Sequence, residues 1–215
     1  MQFKRNQLEE AISRVLEPRA TEPSSEVRTR LKRLLENDRE RRRTPRSSDP
    51  ELAQYAFYSS EAPGSGVEIW FSEYEAFALL IGLLLMQHGW PQGFAVSVMR
   101  RIRPELEKEH LRILKQNPEE LFDHERLRRE AKEGDFAFDN TDPVLLTIIS
   151  RPWSGPSDGG ELVLSAVCRG VAEAMKSAGN VKGGAGAFTM FEVATPAHKL
   201  SEQLKRTEPR PRGRS

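Results

Sequence analysis

The sequence predicts an α+β protein in which a mainly helical amino-terminal domain precedes a small mixed α/β region. Apolar residues recur at helical spacing within residues 7–35 and again from 73 to 114. Short apolar runs rich in β-branched residues, separated by glycine-rich segments, follow residue 140. The chain has 215 residues, of which 37% are hydrophobic and 30% charged, so it can form at least one core.

The first elements are two amphipathic helices. One apolar stripe spans residues 7–16 and consists of Leu8, Ala11, Ile12, Val15 and Leu16. Ser24 or Ser25 is a good N-cap for a second helix, whose stripe is Val27, Leu31, Leu34 and Leu35. The polar segment 40–50, which is rich in arginine and proline, predicts a loop or arm.

A β-hairpin is expected next. Aromatic and β-branched runs at 55–58 and 67–71 flank the turn-forming segment 62–66. We therefore predict a two-stranded wing over residues 55–71.

A second helix pair follows this wing. Ser72 and Glu75 have the spacing of a capping box, and the nearly all-apolar segment 73–88 predicts a buried helix that Gly89 ends. A further helix opens at Gln92 or Gly93, and Pro104 either kinks it or starts another helix.

The carboxyl-terminal region predicts three strands, at 144–149, 161–167 and 187–193, and two helices. One helix ends at Gly179 and the other spans about 196–206. The predicted domains are a winged helix-turn-helix-like helical domain, a charged linker, a small α+β domain and a basic disordered tail, at 1–120, 121–140, 141–207 and 208–215.

Charge is strongly segregated along the chain. Residues 1–46 hold 13 Lys and Arg against 8 Asp and Glu, whereas residues 47–99 hold six acids and no Lys or Arg. The final 17 residues hold six basic and two acidic side chains. Basic ends around an acidic middle favour contact with a polyanion, although solvated helix faces give similar counts.

Several classes are excluded or disfavoured. The longest apolar run, Ala76–Met86, has eleven residues, and a helical membrane crossing needs about 20. The amino end has acidic residues where a signal peptide has its apolar stretch, so we expect a cytoplasmic protein without a membrane partner. A single cysteine, Cys168, excludes an internal disulfide and an intrachain thiolate metal cluster.

Features of an enzyme are weak. The four histidines are scattered without metal-ligand spacing, and Cys168 has the pattern of a buried core residue. Gly183–Gly186 precedes a predicted strand, whereas a phosphate loop follows a strand and opens a helix. We therefore expect no catalytic residue, no metal and no cofactor.

The predicted element order resembles the MerR class of winged helix-turn-helix DNA-binding domains over residues 3 to about 103. The resemblance is best from Phe71-Ser72-Glu73-Tyr74 through Leu85–Trp90 to Val98-Met99, where such domains have a helix, a glycine turn and a shorter helix. It implies a transcriptional regulator that binds duplex DNA, with homodimerisation as a further expectation.

The second helix has the outer face that a major-groove helix needs, with donors for phosphates and base edges opposite an apolar stripe. The candidate DNA contacts on this face are Arg28, Thr29, Lys32, Arg33 and Arg39. In the tail, Pro209–Arg214 resembles an AT-hook core, which implies that Arg212 and Arg214 enter a narrow minor groove.

Two alternatives remain open. The protein could be a non-enzymatic interaction module that binds another protein through the aromatic hairpin and the carboxyl-terminal domain. It could also be an enzyme of unknown type, which a ligand bound in the carboxyl-terminal domain would indicate.

Overall fold

The structure is a computed structural model that describes residues 1–20, 22–60, 69–136, 138–151, 162–181 and 187–209. The chain is α+β and divides into two compact units. Unit 1 comprises residues 1–100 and 199–215, and unit 2 comprises residues 101–198. The predicted linker at 121–140 falls inside unit 2, and the chain passes between the units within two helices, Gln92–Ile113 and Ala194–Arg206.

Unit 1 is built from a strand followed by two helices, repeated once. The first copy is β1 (Gln2–Lys4), α1 (Arg5–Leu16) and α2 (Ser25–Glu40). After the short helix α3 (Pro50–Ala53), the second copy is β2 (Trp70–Ser72), α4 (Glu73–Gln87) and α5 (Gln92–Ile113). The second half of α9 (Ala194–Arg206) completes the unit.

The predicted hairpin over 55–71 is wrong for the residues that the structure describes. Residues 55–58 form no strand, and β2 pairs antiparallel with β1, not with that segment. Tyr55, Phe57 and Tyr58 are instead buried in the core of unit 1. The predicted turn at 62–66 lies outside the described residues. Aromatic residues beside a glycine-rich segment pack a core as readily as they form a hairpin.

The helices predicted for this region are confirmed with small shifts of their ends. The Ser24 hydroxyl accepts a hydrogen bond from the Val27 amide at 3.2 Å, and α4 is buried along most of its length. Gly89 has a φ of 89°, a left-handed conformation that glycine adopts without strain and that ends the helix. Pro104 lies within the single helix α5 rather than starting another.

A buried ion pair fixes α2 in unit 1. The Arg100 and Asp38 side chains are 1% and 0% exposed, and Arg100 Nε donates to Asp38 Oδ1 at 2.7 Å. The other guanidinium nitrogens donate to the carbonyls of Asp38, Arg42 and Glu51 at 2.6, 2.8 and 3.1 Å. The second Asp38 oxygen accepts from the Phe57 amide at 3.0 Å. One guanidinium thus joins α2, the segment after it and α3.

Unit 2 contains a three-stranded antiparallel sheet in the order β4-β3-β5, with β3 (Val144–Ser150), β4 (Leu162–Arg169) and β5 (Ala187–Glu192). The helix α8 (Gly170–Gly179) covers one face, where Leu145, Cys168 and Ala174 form a buried cluster. These elements confirm the predicted strands and helices, and Cys168 is a core residue as expected. The predicted glycine loops at 155–160 and 183–186 lie outside the described residues.

Two short helices precede this sheet, α6 (Pro118–Leu121) and α7 (His124–Glu130). The charged linker predicted at 121–140 is therefore partly helical. The Asn117 side chain caps α6, just before this segment, and the Asp123 side chain caps α7 within it, each accepting a hydrogen bond from the first turn of its helix.

An ion-pair network in unit 2 joins α5 to β4. The Glu109 carboxylate accepts hydrogen bonds from Arg112 at 2.7 Å and from Arg169 at 2.5 Å. Burial alone would raise the pKa of Glu109, but the hydrogen bonds from Arg169 and Arg112 outweigh it and lower the pKa below its usual range. Arg112 also donates to Asp142 at 2.8 Å, so the network fixes the start of the sheet.

Within the described residues, no helix is both long enough and apolar enough to span a membrane.

We predict that Arg100→Met lowers the free energy of unfolding by about 3–5 kcal/mol, because it leaves the Asp38 carboxylate buried without its partner. The double variant Arg100→Met with Asp38→Leu should recover part of this loss, since it removes both charges. Urea denaturation followed by circular dichroism measures the effect. Arg126→Met, at an exposed position, is the control, and a loss of equal size there would contradict the prediction.

Candidate nucleic-acid interface

The strands β1 and β2 form a two-stranded ribbon at the surface of unit 1. Gln2 lies opposite Ser72, Phe3 opposite Phe71, and Lys4 opposite Trp70. Because side chains alternate between the two faces of a strand, Phe3 and Phe71 share one face, and they are 5% and 0% exposed.

The opposite face of the ribbon carries Gln2, Lys4, Trp70 and Ser72. Gln2 is exposed, Lys4 and Ser72 are half-buried, and Trp70 is 44% exposed. The Lys4 ammonium lies 5.1 Å from the centroid of the Trp70 ring, within the range of a cation–π interaction. The outer face therefore offers an amide, an ammonium, an indole and a hydroxyl to the surroundings.

Capping interactions hold each strand to the helix that follows it. The Lys4 amide donates to the Gln7 side chain at 3.0 Å, and the Ser72 amide donates to the Glu75 side chain at 2.6 Å. The Ser72 hydroxyl in turn accepts from the Glu75 amide at 3.1 Å, which confirms the predicted capping box. These contacts fix the point at which each strand becomes a helix, and thus fix the ribbon.

Two acidic side chains in the first turn of α4, Glu73 and Glu75, are hydrogen-bonded inside the unit. Glu75 is 6% exposed and also accepts hydrogen bonds from the amide and hydroxyl of Ser59 at 2.5 and 2.9 Å. Glu73 accepts from the Ser201 hydroxyl at 2.6 Å. These carboxylates therefore serve the packing of the helices.

The five candidate contacts on α2 all lie on its exposed face: Arg28, Thr29, Lys32, Arg33 and Arg39. Lys32 makes a loose ion pair with Glu36, at 3.7 Å. Among the described residues, Arg28, Arg33 and Arg39 have no ion-pair partner. The structure thus places these side chains together on one surface, where they are available to an anionic ligand.

Unit 1 is also the cationic part of the chain. It holds 20 Lys and Arg against 16 Asp and Glu, whereas unit 2 holds 13 against 16. Residues 199–215 contribute six basic and two acidic side chains, so they supply the whole basic excess of unit 1, to which the acidic segment 47–99 also belongs.

The carboxyl-terminal residues are anchored near the ribbon. The Gln7 side chain, one turn into α1, donates to the Thr207 carbonyl at 3.0 Å, and Thr207 is 6% exposed. The basic tail that follows thus begins beside α1. Arg212 and Arg214 themselves lie outside the described residues.

No family model matches this chain, and no curated protein or solved structure was found to be similar to it.

Sequence reasoning missed the ribbon, although a signal for it was present. Phe3 and Gln7 have the same spacing as Phe71 and Glu75, and an apolar stripe follows each pair. This repeat marks two copies of the same strand-to-helix junction. In the described residues, no group of three or more His, Cys, Asp and Glu side chains is placed to hold a metal ion.

The ring of Tyr58 packs near Phe71 of the ribbon, and burial of its phenol changes the pKa of that group. Its ring lies 6.5 Å from that of Phe71, and its hydroxyl donates to the Leu35 carbonyl at 3.4 Å. Burial, with a contribution from the negative charge of Asp38, raises the pKa of Tyr58 to about 12. The neutral phenol is therefore part of the packed core.

We predict that unit 1 loses stability as the pH rises from about 10 to about 12, because the folded state holds the Tyr58 proton more tightly than the unfolded chain does. Below pH 10 this group should have no effect. The free energy of unfolding, measured with urea, should fall between pH 9 and pH 11.5 by roughly 1–2 kcal/mol less in Tyr58→Phe than in the unaltered protein. Tyr74→Phe is the matched control, and equal pH dependence in Tyr58→Phe and the unaltered protein would refute the assignment.

Proposed function

We propose that the protein binds duplex DNA through unit 1 and acts as a cytoplasmic regulator of transcription. The observation that carries this proposal is the ribbon of β1 and β2, whose polar and aromatic outer face lies on the cationic unit of the chain. Two further features support it, the exposed face of α2 and the basic tail.

A two-stranded ribbon is one of the elements that the major groove accepts. B-DNA accepts either an α-helix or a two-stranded antiparallel ribbon there, and base edges are read by donors, acceptors and apolar groups on the inserted element. The buried Phe3 and Phe71 hold the ribbon to the helices beneath it. Its outer side chains are therefore presented by a fixed backbone, as base readout requires.

The α2 face supplies phosphate contacts in this proposal. Exposed arginine and lysine side chains bind phosphate oxygens without regard to sequence and set the register of the protein on the duplex. Arg28, Lys32, Arg33 and Arg39 provide the charges, and Thr29 provides a hydroxyl donor. In the tail, Arg212 and Arg214 would follow the minor groove, as the AT-hook resemblance implies.

A second way of binding the same ligand follows from the resemblance to MerR-type winged helix-turn-helix domains. There α2 itself would enter the major groove, and Thr29, Lys32 and Arg33 would contact base edges. The two modes differ in a measurable way. Loss of a phosphate contact weakens binding to all sequences alike, whereas loss of a base contact changes the sequence preference.

We predict that replacing both Lys32 and Arg33 by Ala weakens binding to random duplex DNA and reduces the slope of log K against log salt by about 2. Each phosphate contact contributes about 0.9 to that slope through counterion release. Fluorescence polarisation between 25 and about 200 mM salt measures it, and thermal unfolding verifies that the fold is kept.

The matched control is Arg128→Ala with Arg129→Ala, which removes the same charge from an exposed helix of unit 2. An equal reduction of the slope in both double variants would indicate a general charge effect and would reject the α2 face as a specific contact surface.

Protein interaction is a second candidate function, now confined to unit 2. The aromatic side chains at 55–58 are buried and unavailable to a partner. In contrast, Met175 on α8 and Phe188 on β5 are 51% and 40% exposed, so their apolar side chains are accessible to a partner.

For this candidate, we expect photo-crosslinking from position 175 to capture one partner at fixed stoichiometry, whether a different protein or a second copy of the chain. The candidate also predicts that the intact chain shows no salt-dependent binding to DNA. Salt-dependent DNA binding without a crosslinked partner would reject it in favour of the first proposal.

A further inference from the structure

The two halves of the ribbon are related by a local twofold axis, but their outer side chains are not equivalent. The axis passes between Phe3 and Phe71, which lie opposite each other. It relates Lys4 to Ser72 and Gln2 to Trp70, since each pair is separated by the same 68 positions as Phe3 and Phe71. The backbone of the ribbon is therefore symmetric, but the side chains on its outer face are not.

The unlike pairs produce two chemically distinct ends. At one end Lys4 lies opposite Trp70, with its ammonium 5.1 Å from the indole ring. At the other end Gln2 lies opposite Ser72. One end thus offers a cationic donor and an aromatic surface, and the other offers an amide and a hydroxyl.

Both strands also belong to a single chain. The backbone pairing of β1 with β2 and the packing of Phe3 beside Phe71 are complete without a second copy. A ribbon formed between two identical chains would place the same side chains at both ends, and its preferred site would be palindromic. In this chain the ribbon forms without a second copy, and its two ends carry different side chains.

Resting on the proposed function, we infer that one chain reads a non-palindromic duplex site through the unlike ends of its ribbon. Lys4 donates to the O6 and N7 acceptors of guanine, and Trp70 provides apolar contact for a thymine methyl group in the same half. Gln2 pairs with the N6 and N7 groups of adenine in the other half. The ligand is therefore duplex DNA whose two half-sites differ in composition.

The net positive charge of unit 1 favours this occupant. The DNA backbone is a polyanion, and unit 1 has an excess of basic residues while unit 2 has an excess of acidic ones. The carboxylates of Glu73 and Glu75 next to the ribbon are already hydrogen-bonded within the unit. The outer face thus has one ammonium, that of Lys4, among its donors, and it belongs to a unit of net positive charge.

The test is selection of the full chain on a random duplex library, followed by sequencing and by measurement of the mass of the complex with a single selected site. We expect a non-palindromic motif and one chain per site. A palindromic motif, or two chains per site, would overturn the inference while leaving the proposed function intact.

Two single variants then assign the halves of the motif. Lys4→Ala should reduce the preference for guanine in one half by about tenfold, and Gln2→Ala should reduce the preference for adenine in the other half only. Gln2 is exposed, so Gln2→Ala should leave thermal unfolding unchanged, whereas Lys4→Ala also removes the contact with Trp70 and is compared at a temperature where both variants are folded. Loss of preference at the same positions in both variants, or at none, would reject the assignment.

The charge-matched variant Lys4→Arg tests whether the guanine preference depends on a basic side chain at position 4. It keeps the positive charge and gains bidentate geometry towards guanine, so we expect it to retain the guanine preference that Lys4→Ala loses. Retention of the preference in Lys4→Ala would show that Lys4 does not read a base. Absence of binding to any duplex at low salt would instead reject the proposed function itself, which makes the two failures distinguishable.

Discussion

The buried pair of Arg100 and Asp38 is the interaction on which unit 1 depends. A guanidinium that is 1% exposed has lost its hydration and is stable only because each nitrogen has found an acceptor. Those acceptors belong to α2, to the segment that follows it and to α3. The same pair thus holds α2 with its apolar stripe facing the core. Because of that orientation, the candidate phosphate contacts on the opposite side of α2 face the solvent.

Local signals in the sequence predicted most of the helices and strands, because capping and apolar periodicity act over a few residues. Ser72 and Glu75 form the capping box that their spacing indicates, and the stripe from Val27 to Leu35 is buried. The exposure of the five candidate contacts on α2 followed from the same periodicity. Their role in binding DNA remains a proposal.

The ribbon could not be predicted in this way, because its two strands are short and 68 positions apart. Three residues carry too little alternation to reveal a strand, and no local rule specifies a distant partner. The aromatic run at 55–58 indicated a hairpin because its composition fits a strand, yet tertiary packing placed it in the core. The one sequence signal for the paired strands is a repeated spacing, since Phe3 and Gln7 are as far apart as Phe71 and Glu75.

The bond from Gln7 to the Thr207 carbonyl has a consequence for how the chain folds. It links residues 200 positions apart. The pairing of β1 likewise forms only after β2, 68 positions later, has been synthesised. Contacts of such sequence separation form slowly, because a long loop must close before they contribute any stabilisation. During synthesis, β1 and α1 emerge early but gain their last partner only when residue 207 leaves the ribosome. Until then the Gln7 side chain lacks this acceptor, and the end of the chain is not held to α1.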